Sequence, residues 1–184
     1  MTLASSPRWR APHEGPPHDY TLMTTLPDKT AVHAAVLAAI KTRLSQTQDN
    51  LRRTHAAATH EESRADNKYD TRSLEMSYLA TGMTDRVAEL RRVLSAYHFW
   101  SLPPQADVVR PGALVVLIDD EDARMCCYIA PYGSADTVQV DGVQIRVITL
   151  KAPLGRALVG KGEGDEVTVK VDGVARIWEI EQLR

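Results

Sequence analysis

No stretch of the 184-residue sequence approaches the ~18 consecutive apolar residues that span a bilayer, which excludes a hydrophobic transmembrane helix. The first residues also lack the apolar centre of a secretory signal. Nor is there a surplus of positive charge. The 22 Lys and Arg stand against 24 Asp and Glu, a net charge of -2, which argues against free duplex DNA as the main partner because neutralising phosphates takes a basic excess. Cysteine is scarce: the only two, Cys126 and Cys127, are adjacent in an apolar run that reads as a strand. Neighbours on a strand point to opposite faces, so these thiols neither bridge each other nor share a metal. They read as packed, reduced thiols, with a reducing cytoplasm as the simplest compartment. No internal repeat is visible.

What is present is the composition of an ordinary soluble protein, 43% hydrophobic and 25% charged, long enough for one or two domains. Pro7, Pro12, Pro16, Pro17 and Pro27 gather at the start without a sustained apolar period, so residues 1–29 are predicted to be a disordered leader. Met23 reads as an alternative start. Residues 30–58 contain no Gly or Pro and are rich in Ala. Leu37, Ile40, Leu44, Thr47, Leu51, Thr54 and Ala58 recur at alternating spacings of three and four, one stripe of a helix. A second stripe runs through Met76, Leu79, Met83, Leu90, Val93 and Tyr97, with Arg86 as its polar member. Two such helices joined by a short polar segment predict an antiparallel coiled-coil hairpin over 30–100, its tip near 59–70. Each arm would reach roughly 40 Å at ~1.5 Å per residue. With Thr and Ala where Leu would be stronger, the seams call for burial of the helix bases against another domain.

Ser101-Leu102-Pro103-Pro104 ends the second helix and opens a linker over 101–108. From there to residue 184 the period is that of strands. Ala113–Ile118, Arg124–Ala130, Val138–Val140, Val143–Leu150, Glu166–Val171 and Val174–Ile180 are the predicted strands. Asp141-Gly142 and Asp172-Gly173 are two-residue hairpin signals, and Asp119-Asp120-Glu121-Asp122 marks another turn. Pro153 suits the first position of a helical turn and Gly160 its end. The fold class is α+β: a helical hairpin followed by a small, mainly antiparallel sheet with one short helix.

Few residues suggest chemistry. His55, His60, Glu61 and Glu62 match no ligand spacing that fixes a metal geometry, and Gly160–Gly164 lacks the context and Lys-Ser/Thr ending of a phosphate loop. Met76, Met83, Tyr78 and Tyr97 read as seam and base packing, and Phe99 with Trp100 as closing the junction of arm and sheet. Taken alone, the tip reads as a solvated loop, since Arg64, Lys68 and Arg72 interleave with its acids.

One stretch is more specific. Over Ile148–Val169, an apolar strand leads into Pro153, Leu154, Arg156, Ala157, Leu158, Val159, Gly160 and Lys161, then Gly164 and Asp165. Here the chain resembles the C-terminal signature of the Gre (GreA/GreB) transcript-cleavage factors, with Ala152 in place of the family's serine and Gly155 in place of its first alanine. The resemblance extends from roughly Thr30 to residue 184. It implies a coiled coil followed by an FKBP-like domain, and bacterial RNA polymerase as the partner. It implies further that Pro153, Arg156, Ala157, Leu158, Gly160, Lys161, Gly164 and Asp165 form a polymerase-docking signature. The coiled coil would enter the secondary channel, where tip acids help hold Mg²⁺ in the polymerase active site near the RNA 3′ end, so that the polymerase cleaves backtracked RNA. The protein would have no catalytic residues of its own, no stably bound metal or cofactor, no membrane partner and no free-DNA specificity.

The tip candidates are Glu62 and Asp66, then Glu61 and Asp70. Asp66-Asn67 aligns with the family's Glu-Asn step and Tyr69 lies near its aromatic, whereas Ser63 falls at the first acid and Glu62 one residue earlier. Either the loop shifts by one residue and presents Glu62 with Asp66, or the pair is incomplete. The alternatives are a channel regulator that does not support cleavage and a coiled-coil adaptor unrelated to polymerase. An FKBP-like fold also raises prolyl isomerisation, but the sheet region offers only Tyr128, Tyr132 and Trp178 to line such a pocket.

Overall fold

The computed structural model describes residues 26–59, 72–105, 107–133, 136–171 and 173–184. Two long helices come first, α1 over Lys29–Thr59 and α2 over Arg72–His98. At ~1.5 Å per residue they extend about 46 and 40 Å. They run antiparallel: Thr54 lies beside Met83, its hydroxyl 3.6 Å from the thioether sulfur, while Leu51 faces Val87 and Ile40 lies near Val93 at the base. The first turn explains why α1 starts at Lys29. The Asp28 carboxylate accepts from the Ala31 amide (3.0 Å), taking up one of the donors a helix start leaves unpaired, and the preceding Leu26 is buried in the core. Residues 26–29 therefore belong to the folded body and not to the predicted leader, because an apolar anchor and an acidic cap fix them.

The seam also differs from the spacing reading. Among the described side chains of α2 the buried positions are Ala80, Val87, Leu90 and Tyr97, with Met83 half-buried. The stripe thus passes through Val87 and not through Arg86, which makes a surface pair with Glu89 (2.6 Å). Leu79, placed on the seam, is 50% exposed, and Tyr78, read as packing, is 70% exposed. The small side chain of Ala80 fills the interface at that level, and the apolar-for-polar exchange at 86/87 sets the rotation. Phe99, assigned to the junction, is 83% exposed and rests edge-on against His98. Trp100 takes that role with Tyr97 and His33.

The sheet contains β1 (Leu114–Asp119), β2 (Arg124–Ala130), β3 (Thr137–Val140), β4 (Val143–Thr149), β5 (Glu166–Val171) and β6 (Val174–Leu183), in spatial order β3-β4-β2-β1-β6-β5. Helix α3 (Pro153–Leu158) joins β4 to β5. Every neighbouring pair is antiparallel except β2 and β4, which run parallel, so the sheet is mixed. The exception follows from connectivity: β3 takes the outer edge and turns back through Asp141-Gly142, which sends β4 along β2 in the same direction. Both turn residues have positive φ, 51° and 80°, as the two-residue hairpin requires.

Alternation along the central strand sorts two cores. Leu114 and Val116 pack with Cys126, Tyr128, Ile145 and Val147 beneath the helix bases, which contribute Val32, Val36, Ile40, Leu90 and Tyr97. Val115 and Leu117 face the other way, with Cys127, Ile129, Ile148, Val167, Ile180 and Leu158 of α3. The adjacent cysteines enter different cores, as strand geometry dictates, and burial pushes the Cys126 thiol up to about 12. Between β1 and β6 the register shifts beyond Val116, leaving Glu181 as the extra residue. Glu181 takes a forked pair of bonds from Arg124 (2.6–3.0 Å), whose guanidinium holds its carboxyl below the usual carboxylate range.

Candidate functional site

The arm is the first part of the site. Its tip acids Glu61, Glu62, Asp66 and Asp70 lie outside the described residues. The shafts leading to them carry Arg52 paired with Asp49 (2.6 Å) on the surface. They also enclose a groove of about 420 Å³ between Gln48, Leu51 and Arg52 of α1 and Thr84, Val87, Ala88 and Arg91 of α2.

The base is where the arm gains a fixed direction. Arg43 of α1 forms an ion pair with Asp136 beside β3. The Tyr97 hydroxyl donates to the Tyr132 carbonyl (3.1 Å), and Gly133, at φ +100°, lets its loop lie close against Val93. His33 Nδ1 lies 2.8 Å from the Tyr128 hydroxyl, with the rings of Tyr97, Trp100 and Tyr128 around it at 5.3–6.2 Å. Burial depresses the His33 pKa and pushes Tyr97 up to about 12. At neutral pH the imidazole is uncharged and shares one hydrogen bond with the Tyr128 hydroxyl.

The second part is the α3 strip, and its signature residues divide by burial. Leu158 is fully buried and Ala157 half-buried, so both serve the core beneath α3. Gly160 and Gly164 have φ of 80° and 81°, where a side chain would be strained. Gly160 donates to the Val109 carbonyl (2.9 Å) and the Val109 amide donates to the Lys161 carbonyl (2.7 Å), tying the strip to the segment that follows α2. Asp165 braces its own turn by accepting from the Gly162 amide (2.8 Å), and its carbonyl accepts from Ile180. The side chains of Pro153, Arg156, Val159 and Lys161 are exposed to solvent along the strip.

Gly155 was missed as a special position. A Cβ there would sit 2.2 Å from the Thr149 carbonyl oxygen, so α3 packs onto the end of β4 at a distance only glycine permits. The signal was the exchange of the family's alanine for glycine. Glu163 was also missed; its carboxylate accepts from the Leu183 amide (2.7 Å) and secures the last strand. The aromatics considered for an isomerase pocket do not converge: Tyr128 lies in the core under the helices and Trp178 in the core under α3.

A two-helix arm seated on one face of a small mixed sheet, with a Pro-opened strip on the other, defines an arm-and-platform architecture. Residues 104–184 match the family model described as "Transcription elongation factor, GreA/GreB, C-term". Residues 104–184 are thus similar to a GreA/GreB C-terminal domain. It is 31% identical over 100 residues to a transcription elongation factor GreA of Cereibacter sphaeroides, covering 54% of this chain and 62% of that protein. To the one from Acidiphilium cryptum it is 34% identical over 103 residues, covering 54% and 60%. The chain thus spans 60–62% of the length of these curated relatives. Among solved structures, the GreA factor homolog 1 (Gfh1) of Thermus thermophilus matches at 19% identity and a TM-score of 0.35, covering 80% of this chain and 94% of that one. A GreA/GreB factor from Nitrosomonas europaea matches at 25% and 0.33, covering 63% and 94%.

Proposed function

We propose that this protein is a transcription elongation factor that binds RNA polymerase through the α3 strip and directs its helical arm into the secondary channel. The observation that carries this is the match of residues 104–184 to the GreA/GreB C-terminal domain, joined here to a two-helix arm of 31 and 27 residues. Arg156, Val159 and Lys161 are the exposed docking contacts, and Glu62 with Asp66 are the carboxylates offered to Mg²⁺ in the polymerase site. Carboxylate oxygens are hard ligands, and a second cation there would stabilise both the attacking water and the leaving oxygen. The protein contributes ligands and position while the polymerase performs the cleavage.

The residue at position 63 favours a second version. Ser63 stands where an acid is expected, and with one carboxylate missing the arm would occupy the channel and modulate transcription without promoting cleavage. Stalled, backtracked elongation complexes mixed with the protein separate these readings. Shortening of the RNA 3′ end that Glu62→Ala or Asp66→Ala abolishes supports the stimulator. Binding without shortening, converted to cleavage by Ser63→Asp, supports the regulator. No binding to core polymerase at micromolar protein removes both and leaves an adaptor.

A further inference from the structure

Three cations meet where the arm joins the platform. Lys29 opens α1, Arg110 precedes β1 and Arg184 follows β6, and together with Pro103, Pro104, Val108 and Ala113 they line a narrow cleft. Each gives one bond to a backbone carbonyl: Lys29 Nζ to Pro103 (2.8 Å), Arg110 to Pro104 (2.7 Å) and Arg184 to Leu26 (3.2 Å). Two guanidiniums and an ammonium carry many more N–H groups than these three bonds use.

No carboxylate among the described residues lies within ion-pair distance of any of the three. Asp28, adjacent in sequence, spends its carboxylate on the Ala31 amide. The Arg110 Nε–H is sealed from solvent and has no acceptor. Burial and the neighbouring Arg110 charge both lower the Lys29 pKa, so the cluster carries like-charge strain. A buried donor without an acceptor, beside two further positive charges, is an arrangement that an oxyanion would satisfy.

We propose that Lys29, Arg110 and Arg184 form a binding site for a phosphate-class oxyanion. Two planar guanidinium forks and a point-charge ammonium suit several oxygens on one centre better than the two coplanar oxygens of a carboxylate. The cleft is too narrow at its centre for a water molecule. Seating the anion therefore swings Arg110 off the Pro104 carbonyl, a rotamer change common at binding surfaces. The site bridges the start of α1 and the end of β6, so an occupant would also tie the arm to the sheet. It requires no polymerase.

The test uses the full chain at constant ionic strength, replacing chloride with inorganic phosphate, phenyl phosphate or acetate. Thermal unfolding and the side-chain Nε–H resonances of ¹⁵N-labelled arginine are followed. Inorganic phosphate or phenyl phosphate is expected to raise the midpoint with the logarithm of its concentration, by about eleven-fold in the folding constant at ten times its Kd, and to move the Arg110 Nε–H signal along a saturating curve with the same Kd. Arg110→Gln and Lys29→Gln should lose the phosphate-specific rise. A preference for phenyl phosphate identifies a phosphate carried on a larger molecule, and a preference for inorganic phosphate identifies the free ion. Acetate matching phosphate, an Arg110 shift that does not saturate, or both variants keeping the rise in midpoint would overturn the proposal. Should the variants misfold, an Arg110 signal in the unaltered protein that stays still at saturating phosphate overturns it.

Discussion

At the residue scale, Gly155 shows how one missing atom sets a packing distance. The hydrogen in place of Cβ lets α3 lie against the Thr149 carbonyl, so Gly155→Ala must push the helix off β4 and loosen Leu158. We expect a loss of about 1–3 kcal/mol in urea unfolding, with Gly155→Ser no better. His33 supplies the pH dependence. Its folded pKa is depressed by burial, so between the ordinary histidine value of about 6.5 and the lower folded value, the unfolded chain holds the extra proton. Stability is therefore full above that window and falls as pH drops through it. Urea midpoints for the unaltered protein should decline from pH 7.5 to 5.5, and His33→Gln should flatten the decline; an equal decline in the variant would assign it elsewhere. Gly155 was visible in the sequence only as an exchange in a motif, because closeness to a carbonyl six residues away is a property of packing.

At the scale of elements, the hairpin was legible as two helices but not as a pair with a fixed rotation. A stripe spaced by threes and fours fits both 83-86-90-93-97 and 83-87-90-94-97, and the two differ by one residue of rotation. Burial of Ala80 and Val87 selects the second. Val87→Ala should cost about 1–2 kcal/mol through lost burial, while Arg86→Ala, which breaks only a surface pair, should stay within about 0.5 kcal/mol. Thermal unfolding of the two variants compares them directly, and reversed magnitudes would restore the Arg86 stripe. The strands were better specified, since alternation and Asp-Gly turns leave little freedom of register. Strand β6 runs on to Leu183, beyond the predicted Ile180, because the bulge at Glu181 lets the last residues continue to pair with β1.

At the scale of the molecule, arm and platform share a core. The apolar face holding Leu114, Val116, Cys126, Tyr128 and Val147 is closed by Val32, Val36, Ile40, Leu90 and Tyr97. A fragment of residues 101–184 would leave that face open, a contiguous apolar patch that soluble monomers avoid. Such a fragment should bind a hydrophobic dye and run as aggregates on gel filtration, where the full chain does not. A well-behaved fragment would show that the helices are not needed to close the face. The shared core and the Arg43–Asp136 pair also give the arm a definite direction from the sheet.

The sequence by itself determined the elements, their order and the likeness of residues 104–184 to the GreA/GreB C-terminal domain. Each depends on local pattern: apolar periods of 3.5 and 2, glycine at positive φ, and a motif of fixed offsets. It also named the tip acids, whose worth depends on what surrounds them in a complex. Only the tertiary structure decided which helix stripe is buried, which signature residues face solvent, and that the sheet contains a parallel pair. It alone brought Lys29, Arg110 and Arg184 together from three distant points in the chain. Proximity between residues separated by 74 to 155 positions is created by the fold, and no local period encodes it.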